Sequence, residues 1–436
     1  MIPLNALPSA DFSEDTWWIW LIKAVFILVF LLVGVLMALW VERRVLGRMQ
    51  TRPGPNVHGP FGLFQSIGDA LKLVLKEDFW LKGADKVIYL LAPCIAAFSS
   101  FMVYAVLPFG PNVNMFGVNT PLQLTDMPVA VLYILAITSF GIYGIVLGGW
   151  ASNSTYPLLG SVRSSAQMIS YELSMGLSLV SVFIVAGSMS TSQIVDSQTQ
   201  LWWFISLLPA FVIYVISMVG EVNRLPFDLP EAEGELVAGH MVEYSSMKFA
   251  WFFLAEYINM FNVAGVATTL FFGGWRAPWP ISAIGDGMFN EGWWPMLWFT
   301  AKVWLFMFLM IWTRGTLLRF RYDQFMRLGW KVLIPVSLAW VVMVAIVQGV
   351  RQFAGLDLQT MLLWIAGVFL AILLALLLWP SPRKPEEELP EEKEPFDPFA
   401  AGYPVPPMPG EKLPPSPRRR RREAVMAMNA QEATDE

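Results

Sequence analysis

The sequence predicts an all-α protein: a polytopic bundle of about nine transmembrane helices, with an amphipathic helix at the cytoplasmic interface and a disordered C-terminal tail. Three observations support this fold class. The 436 residues are 56% hydrophobic and only 14% charged, with a mean hydropathy of +0.53, whereas soluble domains carry about 25% charged residues. Apolar stretches of about 20 residues, enough to cross a bilayer, recur along the chain. After residue 379 the composition changes to prolines and charges.

Nine stretches are long and apolar enough to be predicted as membrane spans. They lie at 17–40, 87–108, 128–150, 166–188, 201–220, 249–272, 295–313, 331–350 and 359–379. We expect eight of them to form a membrane core within residues 1–350. The ninth, within 351–379, is predicted to be an additional C-terminal span.

The placement of Lys and Arg predicts the orientation of these spans. The loops after odd-numbered spans contain sixteen Lys or Arg residues, and the loops after even-numbered spans contain two. Basic loops remain on the cytoplasmic side. The N-terminus is therefore expected outside and the C-terminal tail in the cytoplasm. Residues 1–16 contain no Lys or Arg, so we do not expect a cleaved signal peptide.

The residue counts argue against several kinds of site in this chain. It has one cysteine, Cys94, and two histidines, which cannot supply the four thiolates of an iron–sulfur cluster and offer few haem ligands. No glycine-rich nucleotide-binding motif occurs. We therefore expect no metal, flavin or haem to be held by this chain.

Two segments outside the spans have a distinct character. Residues 60–77 place Phe64, Ile67, Leu71 and Val74 on one helical face, as in an amphipathic helix lying along a membrane surface. The tail, 380–436, contains thirteen prolines, twelve acids and nine bases, a composition typical of a disordered or partner-docked segment. Its five consecutive arginines are either solvated or bind anionic lipid or an acidic surface.

Lys23 lies in the first predicted span but near its outer end, where the ammonium can reach the membrane surface. Three further charged residues lie deeper within predicted spans. Glu172, Glu256 and Lys302 each cost several kcal/mol at the bilayer centre unless they face protein or water, and such residues commonly mark an ion or proton pathway. The alternative is that they form structural pairs between helices. We predict a pathway, because a buried carboxyl can exchange protons near neutral pH.

The segment 220–240, GEVNRLPFDLPEAEGELVAGH, combines five acids with one arginine beside the fifth span. Glu221 and Arg224 are three residues apart and can form a pair, whereas Glu231 and Glu235 would repel each other on one helix face. The prolines and apolar residues between these charges indicate a loop folded back against the bundle rather than a solvated one.

Four segments resemble one protein family. VERRVLGRMQTRPGPNVHGPFGLFQSIGDALKLVLKE, ASNSTYPLLGSVRSSAQMISYE, EVNRLPFDLPEAEGELVAGHMVEYSSMKFAWFFLAEY and RGTLLRFRYDQFMRLGWK are similar to the H subunit of bacterial NADH:quinone oxidoreductase, respiratory complex I. The resemblance extends from about residue 40 to 331. It implies a multi-pass subunit of the bacterial plasma membrane that joins the membrane arm to the peripheral arm and is not catalytic alone.

The resemblance also implies a site. The chain would form a chamber for a quinone, either menaquinone or ubiquinone, together with peripheral-arm subunits that carry the terminal iron–sulfur cluster. It would also contact other membrane-arm subunits. Its buried acids would couple quinone reduction to proton translocation. The chamber residues would be Glu42, Arg43, Arg52, Asp69, Arg224, Asp228, Glu231, Glu233 and Glu235. The proton path would contain Glu172, Glu221 and Glu256. We add Lys302 to this path because it too is a charged residue within a predicted span.

The sequence departs from the family at several positions. Val222 replaces a threonine, His240 stands where tyrosine is common, and the third span, 128–150, has no acid. Two alternatives remain open. One is the equivalent subunit of a hydrogenase-type complex, since the electron donor would bind another chain. The other is a stand-alone proton or cation transporter, although the long inner loops and the lack of internal repeats disfavour it.

Overall fold

The computed structural model describes residues 10–199, 201–228, 236–279, 281–354 and 367. The predicted ninth span and the tail lie outside these residues, apart from residue 367, and so do Glu231, Glu233 and Glu235. The described chain forms a bundle of helices with one small sheet. The predicted helical fold class is therefore confirmed.

Twelve α-helices and two strands build the described part of the chain. The helices are α1 (Trp17–Met49), α2 (Gln65–Leu75), α3 (Lys86–Val103), α4 (Ala130–Ala151), α5 (Thr155–Ala186), α6 (Thr191–Ser197), α7 (Trp203–Ser206), α8 (Leu208–Glu221), α9 (Ser246–Phe271), α10 (Trp294–Thr316), α11 (Tyr322–Leu328) and α12 (Ile334–Ala354). The strands are β1 (Gly110–Met115) and β2 (Val118–Leu122).

Seven helical segments in the described part are long and apolar enough to cross a membrane. They are α1, α3, α4, α5, α9, α10 and the run from α11 into α12. Helix α8 matches the fifth predicted span but has only 14 residues, a length of about 21 Å. It begins at Leu208 rather than at 201, because Pro209 has no N–H for a preceding turn and is tolerated only at the start of a helix.

Helix α5 begins earlier than the sequence predicted. Residues 155–165 were expected to belong to a loop, but they form the first three turns of α5. Pro157 lies in its first turn, a position that accepts proline because the early N–H groups have no partners within the helix. The helix ends at Ala186 and is followed by Gly187, which adopts the left-handed conformation with φ of 69° that glycine commonly supplies after a helix.

The inner end of the bundle, named after the predicted orientation, carries α2 and the segments 50–64, 222–228 and 236–245. Helix α2 confirms the predicted amphipathic helix. The apolar face predicted from the sequence is exposed at Phe64, Ile67, Leu71 and Val74. The segment after α8 folds back against the bundle, as predicted, since Val222 and Phe227 are buried.

The opposite, outer end carries the antiparallel pair β1–β2, which the sequence did not predict. Beside it, Lys23 donates to Asp15 at 2.7 Å and to the Thr120 hydroxyl. Lys23 was expected near the outer end of the first span, and its contact with β2 is consistent with that place.

Close packing positions the end of α8. A Cβ atom at Gly220 would lie 2.7 Å from the ring of Tyr171, so only glycine allows α8 to approach α5 this closely. Tyr171 in turn stacks on Phe325 with ring centroids 4.2 Å apart, and Phe227 packs 4.6 Å from Phe325. These rings fix the backbone on either side of Glu221.

Candidate functional site

A cavity of about 550 Å³ lies at the inner end, between α1, α9 and the loop after α1. Its charged lining residues are Glu42, Arg43, Arg52, Arg224, Glu256 and Arg314. Leu39, Leu46 and Phe253 contribute apolar side chains to its wall. We call this space the large cavity. Its volume is within the range of about 300–1,000 Å³ that is typical of small-molecule sites.

Glu42 is the most heavily bonded acid of the large cavity. The Tyr257 hydroxyl donates to its Oε2 at 2.6 Å, and Arg314 donates to its Oε1. Arg224 Nη1 lies 3.5 Å from the same Oε1. The side chain is only 6% exposed, so these partners hold a buried carboxylate in one orientation.

Arg224 joins two acids from different helices. Its Nε lies 2.8 Å from Glu256 Oε1 on α9, and its guanidinium sits 4.3 Å above the ring of Tyr257. Burial by itself lowers the pKa of Arg224, but the negative charges of Glu256 and Glu42 raise it above its ordinary value. Arg224 is therefore a permanent cation between two carboxylates.

The predicted pair between Glu221 and Arg224 was wrong. Helix α8 ends at Glu221, and Asn223 adopts a left-handed backbone conformation with φ of 56°. This turn directs Arg224 toward α1 and α9, away from Glu221. Glu221 Oε2 has no hydrogen-bond partner among the described residues.

The interface helix is tied to the large cavity through Asp69. Arg43, which lines the cavity, donates to Asp69 Oδ2 on α2. Asp69 itself faces an open groove beside Phe64 and Lys72 rather than the large cavity. The two side chains are 48% and 32% exposed, so water weakens this pair.

A second, small cavity of about 60 Å³ lies deeper between the helices. Glu256 lines both this small cavity and the large one, and Glu221 lines the small cavity from α8. Asn259, three residues after Glu256 on α9, also lines it. The structure therefore brings Glu221 and Glu256 to one internal space.

Glu172 reaches this small cavity through a hydroxyl of the third span. Ser139 and Thr138 of α4 both donate to Glu172 Oε1, Thr138 at 3.4 Å, and Thr138 lines the small cavity. The third span carries no acid, as the sequence indicated, and it supplies hydroxyl groups to the acid of α5 instead.

Lys302 lies apart from the three acids. Its ammonium donates to the carbonyl oxygens of Phe272 at 2.6 Å, Gly274 at 2.9 Å and Arg276 at 2.6 Å, and it lies 4.2 Å from the ring of Trp202. None of its described contacts is with Glu172, Glu221 or Glu256. These bonds connect α10 to the turn that follows α9.

The remaining predicted chamber residues have different placements. Arg52 lines the large cavity and donates to Gln50 at 3.0 Å. Asp228 is half-buried and is not in the wall of that cavity; its backbone carbonyl accepts a hydrogen bond from Arg319. Glu231, Glu233 and Glu235 lie outside the described residues.

Several residues of the site were not singled out from the sequence. Tyr257 and Arg314 bind Glu42 from 215 and 272 residues away, and such distant pairings leave no local pattern. Tyr257 had one available signal, because it follows the intramembrane Glu256 directly. His240, noted only as a departure from the family, lines the small cavity.

Acidification is expected to destabilise the fold through His240, which burial holds at a pKa of about 4 instead of 6.5. Between pH 6.5 and about 4 the imidazole is protonated in the unfolded chain but neutral in the folded protein. The free energy of unfolding is therefore highest above pH 6.5 and decreases as the pH falls toward 4. Going from about pH 7 to about pH 5 should cost about 2 kcal/mol through this group.

The measurement is the thermal denaturation midpoint of the purified protein in its complex at both pH values. His240→Asn should lose less stability on acidification than the wild type does. The same change at the exposed His58 is the control and should retain the wild-type loss. Equal losses in the wild type and His240→Asn would contradict the assignment.

Comparison with known proteins identifies relatives of the whole described bundle. The family model described as NADH dehydrogenase matches residues 22–345. A protein of Streptomyces avermitilis, the H subunit of an NADH-quinone oxidoreductase, is 55% identical over 425 residues, which cover 96% of this chain and 93% of the relative. In the described part of the chain, no group of three or more His, Cys, Asp or Glu residues is arranged to hold a metal ion.

Proposed function

This chain belongs to the family of NADH-quinone oxidoreductase H subunits, and on that premise we propose that its large cavity is part of a quinone-binding chamber. As a member of that family the chain is a membrane subunit of an oxidoreductase complex. The finer proposal is that it binds the quinone together with peripheral-arm subunits and couples quinone reduction to proton translocation. The observation that carries it is Glu256, which lines both the large and the small cavity.

The wall of the large cavity suits a quinone. The head group needs polar contacts for its two carbonyl oxygens, and Arg43, Arg52 and Arg314 supply donors there. The apolar tail needs a route from the lipid, and Leu39, Leu46 and Phe253 supply apolar surface beside α1 and α9. The exposed apolar face of α2 would lie at the membrane surface next to this route.

The acids form an ordered series that leads away from the large cavity. Glu42 and Glu256 share Arg224 at the cavity, Glu256 and Glu221 share the small cavity, and Thr138 links that cavity to Glu172. Reducing a quinone takes up protons and changes the charge in the chamber. That change would alter proton binding at Glu256 and then at Glu221 and Glu172.

Electrons would reach the quinone from an iron–sulfur cluster of a partner subunit. The sequence contains one cysteine, so this chain would position the quinone and move protons. The protein would lie in the bacterial plasma membrane with its N-terminus outside and its tail in the cytoplasm. The 55% identical relative is named for NADH-quinone oxidoreductase, which favours this function over a hydrogenase-type complex or a stand-alone transporter.

Filling the large cavity should abolish quinone access. Leu46→Trp places an indole in the space where the quinone would lie, and a misplaced substrate can cost about 100-fold in rate. We expect quinone reductase activity of the assembled complex to fall by about that factor, with a raised KM for quinone. The activity is measured in membranes after the amount of complex is determined by native electrophoresis.

Leu28→Trp is the matched control, since Leu28 lies on the same helix, is 48% exposed in this chain and does not line the large cavity. This variant should retain normal quinone kinetics. If Leu46→Trp assembles and reduces quinone with unchanged KM and turnover, the large cavity is not the quinone site.

A further inference from the structure

The small cavity contains buried acceptor atoms that the protein does not satisfy. Glu221 Oε2, Asn223 Oδ1, His240 Nδ1 and Asn262 Oδ1 have no hydrogen-bond partner among the described residues, and all four belong to residues that line this cavity. An unsatisfied buried polar atom costs about 1–3 kcal/mol. Asn223 Oδ1 and Asn262 Oδ1 only accept, Glu221 Oε2 accepts when the carboxyl is ionised, and His240 Nδ1 accepts when the ring hydrogen is on Nε2. In these states the atoms require a donor inside the cavity.

Water is the donor that the cavity can hold. Its volume of about 60 Å³ exceeds the roughly 10–15 Å³ that one water molecule needs. The amide of Asn262 is fixed, because its Nδ2 donates to the Ser100 carbonyl at 2.9 Å and to Asn259 Oδ1 at 3.1 Å. Its Oδ1 is thereby left to accept from the cavity water.

His240 is held rigidly at this cavity. Its ring packs edge-on against Phe252 with centroids 5.1 Å apart, and the residue is only 4% exposed. The turn Gly239–Met241 lies against α5, where a Cβ atom at Gly160 would come within 2.6 Å of Gly239. The imidazole position is set by packing, and its unpartnered Nδ1 is available to the water.

The titratable groups around His240 come from three helices. Glu221 of α8 and Glu256 of α9 line the same cavity, and Glu172 of α5 reaches it through Thr138 of α4. Apart from these carboxylates, the imidazole is the basic side chain that lines this cavity, and burial keeps it neutral at pH 7, so that it would hold a proton only transiently.

We propose that His240 is a proton-relay residue, which receives a proton from Glu256 through the cavity water at Nδ1 and returns it through the same water to Glu221 Oε2. Once the Glu256 carboxylate has taken up a proton from the large cavity, its carboxyl passes that proton on and is again a carboxylate beside Arg224. The imidazole becomes an imidazolium, and the carboxylate of Glu221 gains the proton when the imidazole is restored. Burial favours the neutral ring, with a pKa of about 4, so the imidazolium passes its proton on rather than retaining it. This relay rests on the proposed function.

Two substitutions at His240 separate a relay from a simple hydrogen-bonding role. His240→Asn retains an acceptor for the cavity water but cannot take up a proton, and His240→Phe removes both properties. In the intact complex reconstituted into vesicles, we expect both variants to slow proton pumping and coupled quinone reduction by about tenfold or more, because a positioned acid–base group commonly contributes about 10²-fold or more. The matched change His58→Asn should have no effect.

Infrared difference spectra give a readout that a structural role would not change. On quinone reduction, the wild-type complex should show a shifted imidazole band that is absent in His240→Asn. Full activity in His240→Asn, or the same imidazole band in that variant, would overturn the relay. If His240→Phe does not assemble, the Asn variant alone decides the question.

The failure of this relay can be told apart from failure of the proposed function. If Glu221→Gln stops pumping but His240→Asn does not, only the relay is wrong. If neither variant changes pumping or quinone reduction, both the relay and the proposed proton route are wrong.

Discussion

Replacing Arg224 by glutamine is expected to prevent the subunit from accumulating in an assembled complex. Arg224 is 8% exposed and lies between Glu256 at 2.8 Å and Glu42 at 3.5 Å. Removing the cation leaves two carboxylates buried close together with less compensation, and breaking such a buried pair costs about 3–5 kcal/mol. Native electrophoresis of membranes measures the amount of complex, and thermal denaturation measures the stability of what remains.

The control for this loss is Arg48→Gln, because Arg48 is exposed on the same inner end of α1. Arg48→Gln should change the free energy of unfolding by no more than about 0.5 kcal/mol. The double variant Arg224→Gln with Glu256→Gln removes one of the uncompensated charges and should restore part of the assembly without restoring pumping. Normal assembly of the single variant would contradict the role given to Arg224.

Replacing Lys302 by methionine should also destabilise the subunit strongly, at the other end of the bundle. The ammonium donates to three backbone carbonyls, at 2.6, 2.9 and 2.6 Å, and hydrogen bonds to charged groups contribute about 1.5–3 kcal/mol each. Methionine keeps the length of the side chain but leaves those oxygens without their donor. We expect a loss of several kcal/mol, about as large as for Arg224.

This variant also decides between two roles for Lys302. If the lysine holds the turn after α9, the complexes that do assemble should reduce quinone and pump protons at normal rates. If it belongs to the proton path, assembly should be normal and pumping should be lost. Lys82→Met, at an exposed position, is the control for removal of a positive charge.

The helices were predictable because a membrane span requires a long apolar stretch, which a single sequence displays directly. The errors occurred where local chemistry competes with hydropathy. Helix α8 begins late because of Pro209, and α5 begins early because polar residues such as Ser161 and Ser164 are buried between helices. Burial inside protein, rather than in lipid, permits these polar residues in a long helix.

The site was predictable in part for a similar reason. Glu256 and Glu172 are conspicuous because a charge within a span is rare, and the structure connects both to the small cavity. The partners of Glu42 could not be predicted from spacing, since Tyr257 and Arg314 come from distant helices. The expected local pair of Glu221 with Arg224 fails because the backbone turns at Asn223.

The most direct test is proton pumping by the complex that carries Glu221→Gln. Glutamine has nearly the same shape but cannot bind and release a proton, so it should interrupt the route between the large cavity and Glu172. With the complex reconstituted into vesicles, we expect the proton uptake that accompanies quinone reduction to fall by about 100-fold. The control Glu291→Gln, at an exposed outer position, should pump normally. Pumping and quinone reduction at wild-type rates in Glu221→Gln would contradict a proton route through the small cavity.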